Sequence, residues 1–415
     1  MRCLLPLTLA VLAVAPALTR AAELLPPRLD GDLAGGLTLA ALPGLPPLAW
    51  RVTARSAAAG RLHADLSAVV NGSEFRAAVE FDPVTQEGSW RLEEMRLGAA
   101  AWLPVLAPQL GTMLEGIVAQ GVVTVSGEGE LHDGRPAGRI KLAWADGALS
   151  HAGQGWSLEG IAFQGEFAVA ADAPTLRSAE PATLTIRTVT TTRFGARNIS
   201  IAARLDDLAL LTLLSGSVEV AGGEVTVERA AIPLSPPALN LTLRISRVGL
   251  QDLVALVPAG LADARGRIDG VVAVSWSAAE GFQVGAGGLA LRDDEPALVR
   301  LAPAPGFLTR HVPEHIALLP AWTGPLARWT SPLNPAYADV QAIELGRTEL
   351  RLKKLDVRLT PGGDERGRSG SVELIAYPAQ VGGTVKVLNF EIGVAGPLDA
   401  LMKMEMNQKL AVEVH

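Results

Sequence analysis

The stretch Leu239-Asn240-Leu241-Thr242-Leu243-Arg244-Ile245-Ser246 alternates apolar and polar residues without a break. A period of two places one set of side chains on each face of a β-strand. Similar runs recur at residues 184–187, 218–220, 225–228, 271–276 and 388–394. The chain also has 43 Gly and 28 Pro, which punctuate these runs and indicate short strands joined by tight turns. The sequence therefore predicts an all-β fold with a few short helices.

One face of the predicted strands is aliphatic or aromatic at every second position. Its residues are Leu239, Leu241, Leu243, Ile245, Val272, Val274, Trp276, Leu388, Phe390, Ile392 and Val394. Polar residues such as Asn240, Thr242 and Arg244 alternate with them. A face of this kind either remains open as a hydrophobic groove or packs into the closed core of a sandwich. Alternation alone leaves both possibilities open.

Residues 1–22 predict export. Arg2 precedes an apolar run at 4–18, and the small residues Thr19, Ala21 and Ala22 follow, which is the pattern of a secretory signal peptide. The run is shorter than the roughly 20 residues of a membrane-spanning helix, so the pattern favours a cleaved signal over an anchor. Cys3 is the only cysteine and lies in this segment. We therefore expect a mature chain without disulfides or thiolate ligands.

The composition restricts the class of ligand. Hydrophobic residues make up 49% of the chain, whereas aromatic residues make up only 4%, so aliphatic side chains dominate the apolar surface. Sites for sugars and bases depend on ring stacking, and an aliphatic surface is better suited to acyl chains. The formal net charge of −7 argues against nucleic acid as a partner, because a phosphate backbone requires clustered Lys and Arg.

We predict neither a catalytic site nor a metal or cofactor site. His311 and His315 are close in sequence, but Pro313 separates them and only Glu314 is nearby as a further ligand. The adjacent acidic residues at 93–94, 206–207 and 293–295 would point to opposite faces of a strand. The chain also lacks a Gly-x-Ser-x-Gly elbow, a phosphate-binding loop and a His-Glu-x-x-His motif. These observations predict that the protein is not an enzyme.

Short Leu-rich helical pieces are expected at 102–114, 205–214 and 250–258, each followed by a glycine-bearing turn. A further helix is expected to begin with Asn334 as its cap and Pro335 at its first position. It should continue to about Leu345 and stop at Gly346.

The region from 303 to 337 breaks the strand pattern with repeated prolines and concentrates aromatic residues in a chain otherwise poor in them. Phe307, Trp322 and Trp329 are predicted to contact a membrane or a partner protein, because Trp favours boundaries between apolar and wet surroundings. Packing as a plug over the sheet is the alternative.

Two stretches carry a resemblance to a known family. Residues 248–291, from Val248-Gly249-Leu250 to Gly287-Gly288-Leu289, resemble the repeat unit of the AsmA-like envelope proteins. They are most similar to the YdbH branch, whose C-terminal region is labelled a dicarboxylate transport domain. Residues 389–398 are similar to its terminal strand and Gly-Pro-Leu turn, and the helix at 337–345 lies where that branch has one. The resemblance covers about residues 200–415.

The resemblance implies an elongated antiparallel sheet that curls into a trough and has no catalytic residues. Such a trough carries phospholipid acyl chains through the periplasm, between the inner and outer membranes of a diderm bacterium, with a membrane or envelope protein as partner. The expected segments are an N-terminal β-rich part of the groove at 23–199, a YdbH-like repeat at 200–302, the insertion and helix at 303–345, and a C-terminal β segment at 346–415. An exported scaffold or adhesin with a closed core and no ligand is the alternative.

Overall fold

The computed structural model describes residues 30–38, 46–56, 60–110, 116–170, 176–192, 195–254, 261–277, 280–318, 331–365, 367–379 and 383–395. The predicted signal peptide at 1–22 therefore lies outside the described residues, as do Trp322 and Trp329. Ile392 and Val394 belong to a described strand, but only through their backbone.

Strands dominate the described residues. The twenty-two strands are β1 Gly31–Leu37, β2 Leu48–Ser56, β3 Leu62–Val70, β4 Ser73–Phe81, β5 Gly88–Gly98, β6 Val118–His132, β7 Arg135–His151, β8 Trp156–Val169, β9 Leu176–Ser178, β10 Ala182–Thr190, β11 Gly195–Leu205, β12 Leu210–Val220, β13 Gly223–Val227, β14 Ala230–Pro233, β15 Ala238–Gly249, β16 Leu261–Arg265, β17 Arg267–Ser277, β18 Gly281–Leu291, β19 Ala297–Leu301, β20 Leu350–Leu359, β21 Arg368–Pro378 and β22 Leu388–Ala395. The helices are α1 Ala99–Leu110, α2 Leu250–Val254, α3 Pro335–Glu344 and a 3-10 turn at Thr309–His311. The strands form one open antiparallel sheet, which confirms the predicted all-β class with few short helices.

The chain divides into two compact units. Unit 1 comprises Met1–Gly216 and Arg229–Pro236. Its strands pair in the order β1-β2-β3-β4-β5-β6-β7-β8-β10-β11, so neighbours in sequence are nearly always neighbours in the sheet. Its core lies where α1 covers one face of the sheet, with Trp102 and Val105 of the helix packed among Leu92, Met95 and Val125.

Unit 2 comprises Ser217–Glu228 and Pro237–His415. Its main pairing order is β13-β15-β17-β18-β20-β21-β22. β19 joins the other end of β20, and β16 pairs with β19. The core of this unit forms under α3, where Val340 and Ile343 pack among Leu350, Ala376 and Phe390.

The predicted helix after Asn334 is confirmed. The Asn334 side chain accepts a hydrogen bond from the backbone N–H of Ala336 at 3.0 Å, and Pro335 occupies the first helical position. Gly346 follows the end of the helix with a φ of 67°, a left-handed conformation that glycine adopts without strain.

The helical piece expected at 205–214 is wrong. Residues from Leu210 onward form β12, which pairs with β14 through Leu211 opposite Ile232 and Leu213 opposite Ala230. Leucine is a strong helix former, but its apolar side chain also fits a half-buried strand, and here the strand partner decides the outcome. The pieces expected at 102–114 and 250–258 do contain helices, namely α1 and α2.

Candidate functional site: the apolar face of the sheet

The residues predicted from β15 and β17 meet directly across the two strands. Their registers are Leu239 opposite Trp276, Leu241 opposite Val274, Leu243 opposite Val272 and Ile245 opposite Gly270. Directly opposed residues of antiparallel strands point to the same face of a sheet. The seven predicted residues of these two strands therefore form one continuous apolar surface in unit 2.

The same face continues across the neighbouring strands of unit 2. Val274 and Trp276 lie opposite Val284 and Phe282 of β18. Farther along, the predicted residue Phe390 lies opposite Leu374 of β21. The remaining links in this row of registers are Gly270 with Leu289, Leu289 with Val357, Val357 with Val372, Val372 with Ile392, Leu388 with Ala376 and Val394 with Gly370. Backbone pairing thus places all eleven predicted positions on one face.

Burial follows the alternation of the sequence. The apolar residues of β15 from Leu239 to Ile245 are half-buried, and the polar residues Asn240, Thr242 and Arg244 between them are exposed. Val272 and Val274 are each 8% exposed. In the described parts of β15, β17, β18 and β20–β22, every position in register with the predicted lining is apolar or glycine, and charged side chains occupy the opposite face.

The two ends of this face have different surroundings. At the end under α3, Ile245, Leu388 and Phe390 pack against the helix-covered core. Leu241 and Leu243 lie on the same strand farther from that core and remain half-buried. An apolar side chain that is half-buried retains surface that a ligand can cover, and that surface contributes roughly 25 cal/mol per Å² on burial.

Unit 1 has an equivalent apolar face, but none of the lining residues predicted from the sequence lies on it. One row crosses four strands, from Trp144 of β7 through Phe163 of β8 and Leu184 of β10 to Ile201 of β11. All four side chains are half-buried. The signal for it was present, because the run at 184–187 shows the same alternation as β15, but no lining residue was assigned there.

Two backbone hydrogen bonds close the base of the proline-rich insertion of unit 2 by joining residues 314–316 to residues 332–334. The backbone N–H of Ile316 donates to the carbonyl of Pro332 at 3.0 Å, and that of Asn334 donates to the carbonyl of Glu314 at 2.8 Å. Three large apolar side chains near this base are exposed, namely Ile316 at 41%, Leu318 at 62% and Leu333 at 69%. The predicted contact residue Phe307 is half-buried and packs against the core under α3.

Glu344, which was not predicted from the sequence, joins the insertion to α3. This side chain is 2% exposed, and its carboxylate accepts hydrogen bonds from the backbone N–H groups of Gly306, Leu308 and Thr309 at 3.2, 2.9 and 3.0 Å. The hydroxyl of Thr309 donates a fourth at 2.9 Å. Burial raises the pKa of Glu344, but these hydrogen bonds outweigh burial, and the pKa lies below its usual value.

Glu344→Gln should lower the free energy of unfolding of unit 2 by about 2 kcal/mol, since buried N–H donors lose a charged acceptor. A lowered folded-state pKa means that the carboxylate stabilises the fold above the unfolded-state pKa, and that this stabilisation disappears as the pH falls through the folded-state value. The free energy of unfolding, measured with urea at neutral and acidic pH, should therefore depend less on pH in the variant than in the wild type. Glu314→Gln, at an exposed site in the same insertion, is the matched control and should change neither quantity.

The two histidines of the insertion make other contacts within the described part of the chain. The ring of His311 accepts a hydrogen bond from Nε of Arg310 at 3.0 Å, and His315 forms an isolated bridge with Leu333. Within the described residues, no three His, Cys, Asp or Glu side chains come close enough together to hold a metal ion. None of the described helices has both the length and the hydropathy needed to cross a bilayer.

An apolar sheet face that retains exposed surface marks a site of contact with a ligand or a partner. The family model described as YdbH-like, intermembrane phospholipid transport protein YdbH, matches residues 7–309. The chain therefore belongs to the YdbH-like family, which is a family of lipid transport and not a class of enzymes. Searches of curated proteins and of solved structures returned no match.

The family match differs in extent from the resemblance read in the sequence. The resemblance covers about residues 200–415, whereas the match begins at residue 7 and ends at residue 309. Strand faces accept many combinations of aliphatic residues, so short motifs fade even where a family pattern persists over a long stretch.

Proposed function

We propose that the protein carries phospholipids through the periplasm, between the inner and outer membranes of a diderm bacterium, by holding their acyl chains against the apolar face of its sheet. The observation that supports this most strongly is the row of half-buried residues Leu239, Leu241 and Leu243 opposite Trp276, Val274 and Val272. Membership of the YdbH-like family supports a lipid cargo.

The chemistry of the face favours acyl chains over head groups. Aliphatic side chains gain free energy when they exclude water from a hydrocarbon chain, and this gain has no directional requirement. A phosphate-containing head group, by contrast, is usually recognised by clustered Arg or Lys side chains. On β15 the basic residue Arg244 lies on the opposite, exposed face, where its guanidinium pairs with the Glu228 carboxylate at 2.9 Å. The protein should therefore hold lipids of different head groups similarly.

Native mass spectrometry of protein taken directly from cell membranes should show bound diacyl lipid. The head-group distribution of this lipid should follow that of the membrane, because the proposed contacts are to acyl chains. Protein that carries no lipid under these conditions would count against the proposal. A single head group strongly enriched over its share of the membrane would contradict the acyl-chain mechanism alone.

A scaffold or adhesin with closed cores is the second candidate function. The helix-covered cores under α1 and α3 favour it, because they bury Trp102 and Ile343 as a stable domain interior does. In that case the half-buried apolar side chains outside the two cores would be ordinary protein surface and would not line a lipid-binding groove. The lipid content of the purified protein separates the two candidates.

We also propose that the insertion of unit 2 contacts a membrane or an envelope partner protein. The exposed side chains of Ile316, Leu318 and Leu333 at its base support this proposal, since clustered exposed apolar side chains mark interaction sites. Trp322 and Trp329 follow Leu318 in the sequence and add the residue type that prefers the lipid–water boundary.

A further inference from the structure

Aromatic rings on the apolar face of unit 1 lie against glycines of the same face. A Cβ built on Gly35 of β1 would come within 2.9 Å of Cζ2 of Trp50, its register partner on β2. A Cβ on Gly165 of β8 would come within 3.0 Å of the Phe167 ring and 3.1 Å of the Phe163 ring. Real Cβ atoms almost never come within 3.0 Å of another atom and seldom within 3.4 Å, so these rings occupy space that a side chain would otherwise fill.

Two further aromatic rings of unit 1, those of Trp90 and Trp144, lie over the backbone of other strands. Nε1 of Trp90 donates to the backbone carbonyl of Ala137 at 3.1 Å, and Nε1 of Trp144 donates to that of Gln120 at 3.3 Å. Ala137 lies on β7, two strands from Trp90, so the Trp90 ring crosses over β6. Gln120 lies on β6, the strand next to Trp144, so the Trp144 ring leans over that strand. Since the N–H is satisfied by the backbone, the upper face of each ring presents only apolar surface.

Glycine within a strand is less stable than alanine and often marks the close approach of another group. An aromatic ring packed against the glycine restores part of the lost strand stability. These pairs can therefore be explained by stability alone. The pairs, however, lie on the same face as the half-buried row of Trp144 and Phe163. Any ring that rose from the sheet would occupy the space above this face.

We propose that Gly35 and Gly165 set the depth of the lipid-binding face in unit 1 by letting Trp50, Phe163 and Phe167 lie flat. The inference rests on the proposed function, and its ligand is the acyl chain of a diacyl phospholipid. A side chain at either glycine lifts the ring above it, and the lifted ring takes the volume that the acyl chain needs.

Gly165→Leu should reduce the diacyl lipid retained by the full-length protein by about tenfold in native mass spectrometry and in uptake of a fluorescent phospholipid, equivalent to about 1.4 kcal/mol. The matched control is Gln164→Leu, which adds the same side chain to the adjacent, exposed position on the opposite face and should retain lipid normally. Circular dichroism checks that both variants fold.

A second variant and its control test the same inference if Gly165→Leu does not fold. Gly35→Val meets only side-chain atoms of Trp50, whereas a Cβ at the neighbouring Gly36 meets nothing within 4 Å. Gly35→Val should lose lipid and Gly36→Val should not. Equal lipid loading of wild type, Gly35→Val and folded Gly165→Leu overturns the inference and leaves the structural explanation. Wild-type protein that takes up no phospholipid instead overturns the proposed function on which it rests.

Discussion

Leu241→Asp is expected to abolish phospholipid transfer while leaving the fold of unit 2 intact. Leu241 is half-buried and faces Val274 across β15 and β17, so a carboxylate there would place a charge in the middle of the apolar face. An acyl chain cannot hydrate that charge, and its binding across the site should fail. On an open face the carboxylate itself can still reach water, and the free energy of unfolding should fall by only about 1 kcal/mol.

Thr242→Asp is the matched control, because Thr242 is the next residue of the same strand and is exposed on the opposite face. It adds the same charge and should leave transfer between donor and acceptor liposomes unchanged. A closed core at Leu241 would give a different result, since an unpaired buried carboxylate costs about 3–5 kcal/mol and the unit would melt much earlier. Loss of folding in Leu241→Asp, with Thr242→Asp unaffected, would therefore favour the scaffold.

Val274→Asp extends this comparison to the facing strand. Val274 is 8% exposed, so its replacement should destabilise unit 2 more than Leu241→Asp does. Transfer should be lost in both variants. Comparing stability and lipid transfer in the two variants separates the cost of burying a charge from the loss of lipid binding.

The faces of the strands could be predicted from the sequence, but their partners could not. A period of two assigns Leu241 and Val274 each to the apolar side of its strand, because the geometry of one strand is sufficient for this. The register that brings Leu241 opposite Val274 depends on the turns and on a bulge in β15 between Ile245 and Val248. These features depend on pairing between distant residues, which alternation does not encode.

Helix prediction succeeded where local chemistry decides the structure. Asn334 and Pro335 specify the start of α3 through one side-chain hydrogen bond and one fixed φ angle, and both effects act within three residues. The Leu-rich stretch after Leu205 had no such signal, and its pairing with β14 made it a strand. Tertiary partners override propensity when capping residues are absent.

The contacts of the aromatic rings and of the Glu344 carboxylate could not be predicted from the sequence for a related reason. Trp90 and the carbonyl of Ala137 are brought together by two successive strand pairings, and Glu344 meets Thr309 across a long insertion. Nothing in the residues next to Trp90 or Glu344 distinguishes them from ordinary strand and helix residues. Only the assembled sheet shows that these groups are satisfied by distant backbone atoms.

Replacing Trp322 and Trp329 together with Ser should weaken the association of the protein with liposomes by at least about tenfold, because two large interfacial rings are lost. The melting temperature should change little, since the base of the insertion is held by hydrogen bonds of Ile316 and Asn334 that the double variant retains. Co-sedimentation with phospholipid vesicles and thermal unfolding measure the two quantities on the same samples.

Trp102→Ser is the reference for the opposite outcome, in which the lost tryptophan belongs to the protein core. Trp102 is 4% exposed in the core of unit 1, and its Nε1 donates to the hydroxyl of Ser73 at 3.0 Å, so its loss should cost about 3–5 kcal/mol. Vesicle association per folded molecule should stay unchanged in this variant. If the double variant at Trp322 and Trp329 instead behaves like Trp102→Ser, with a large fall in melting temperature and normal vesicle association, both rings pack as a plug over the sheet and make no membrane contact.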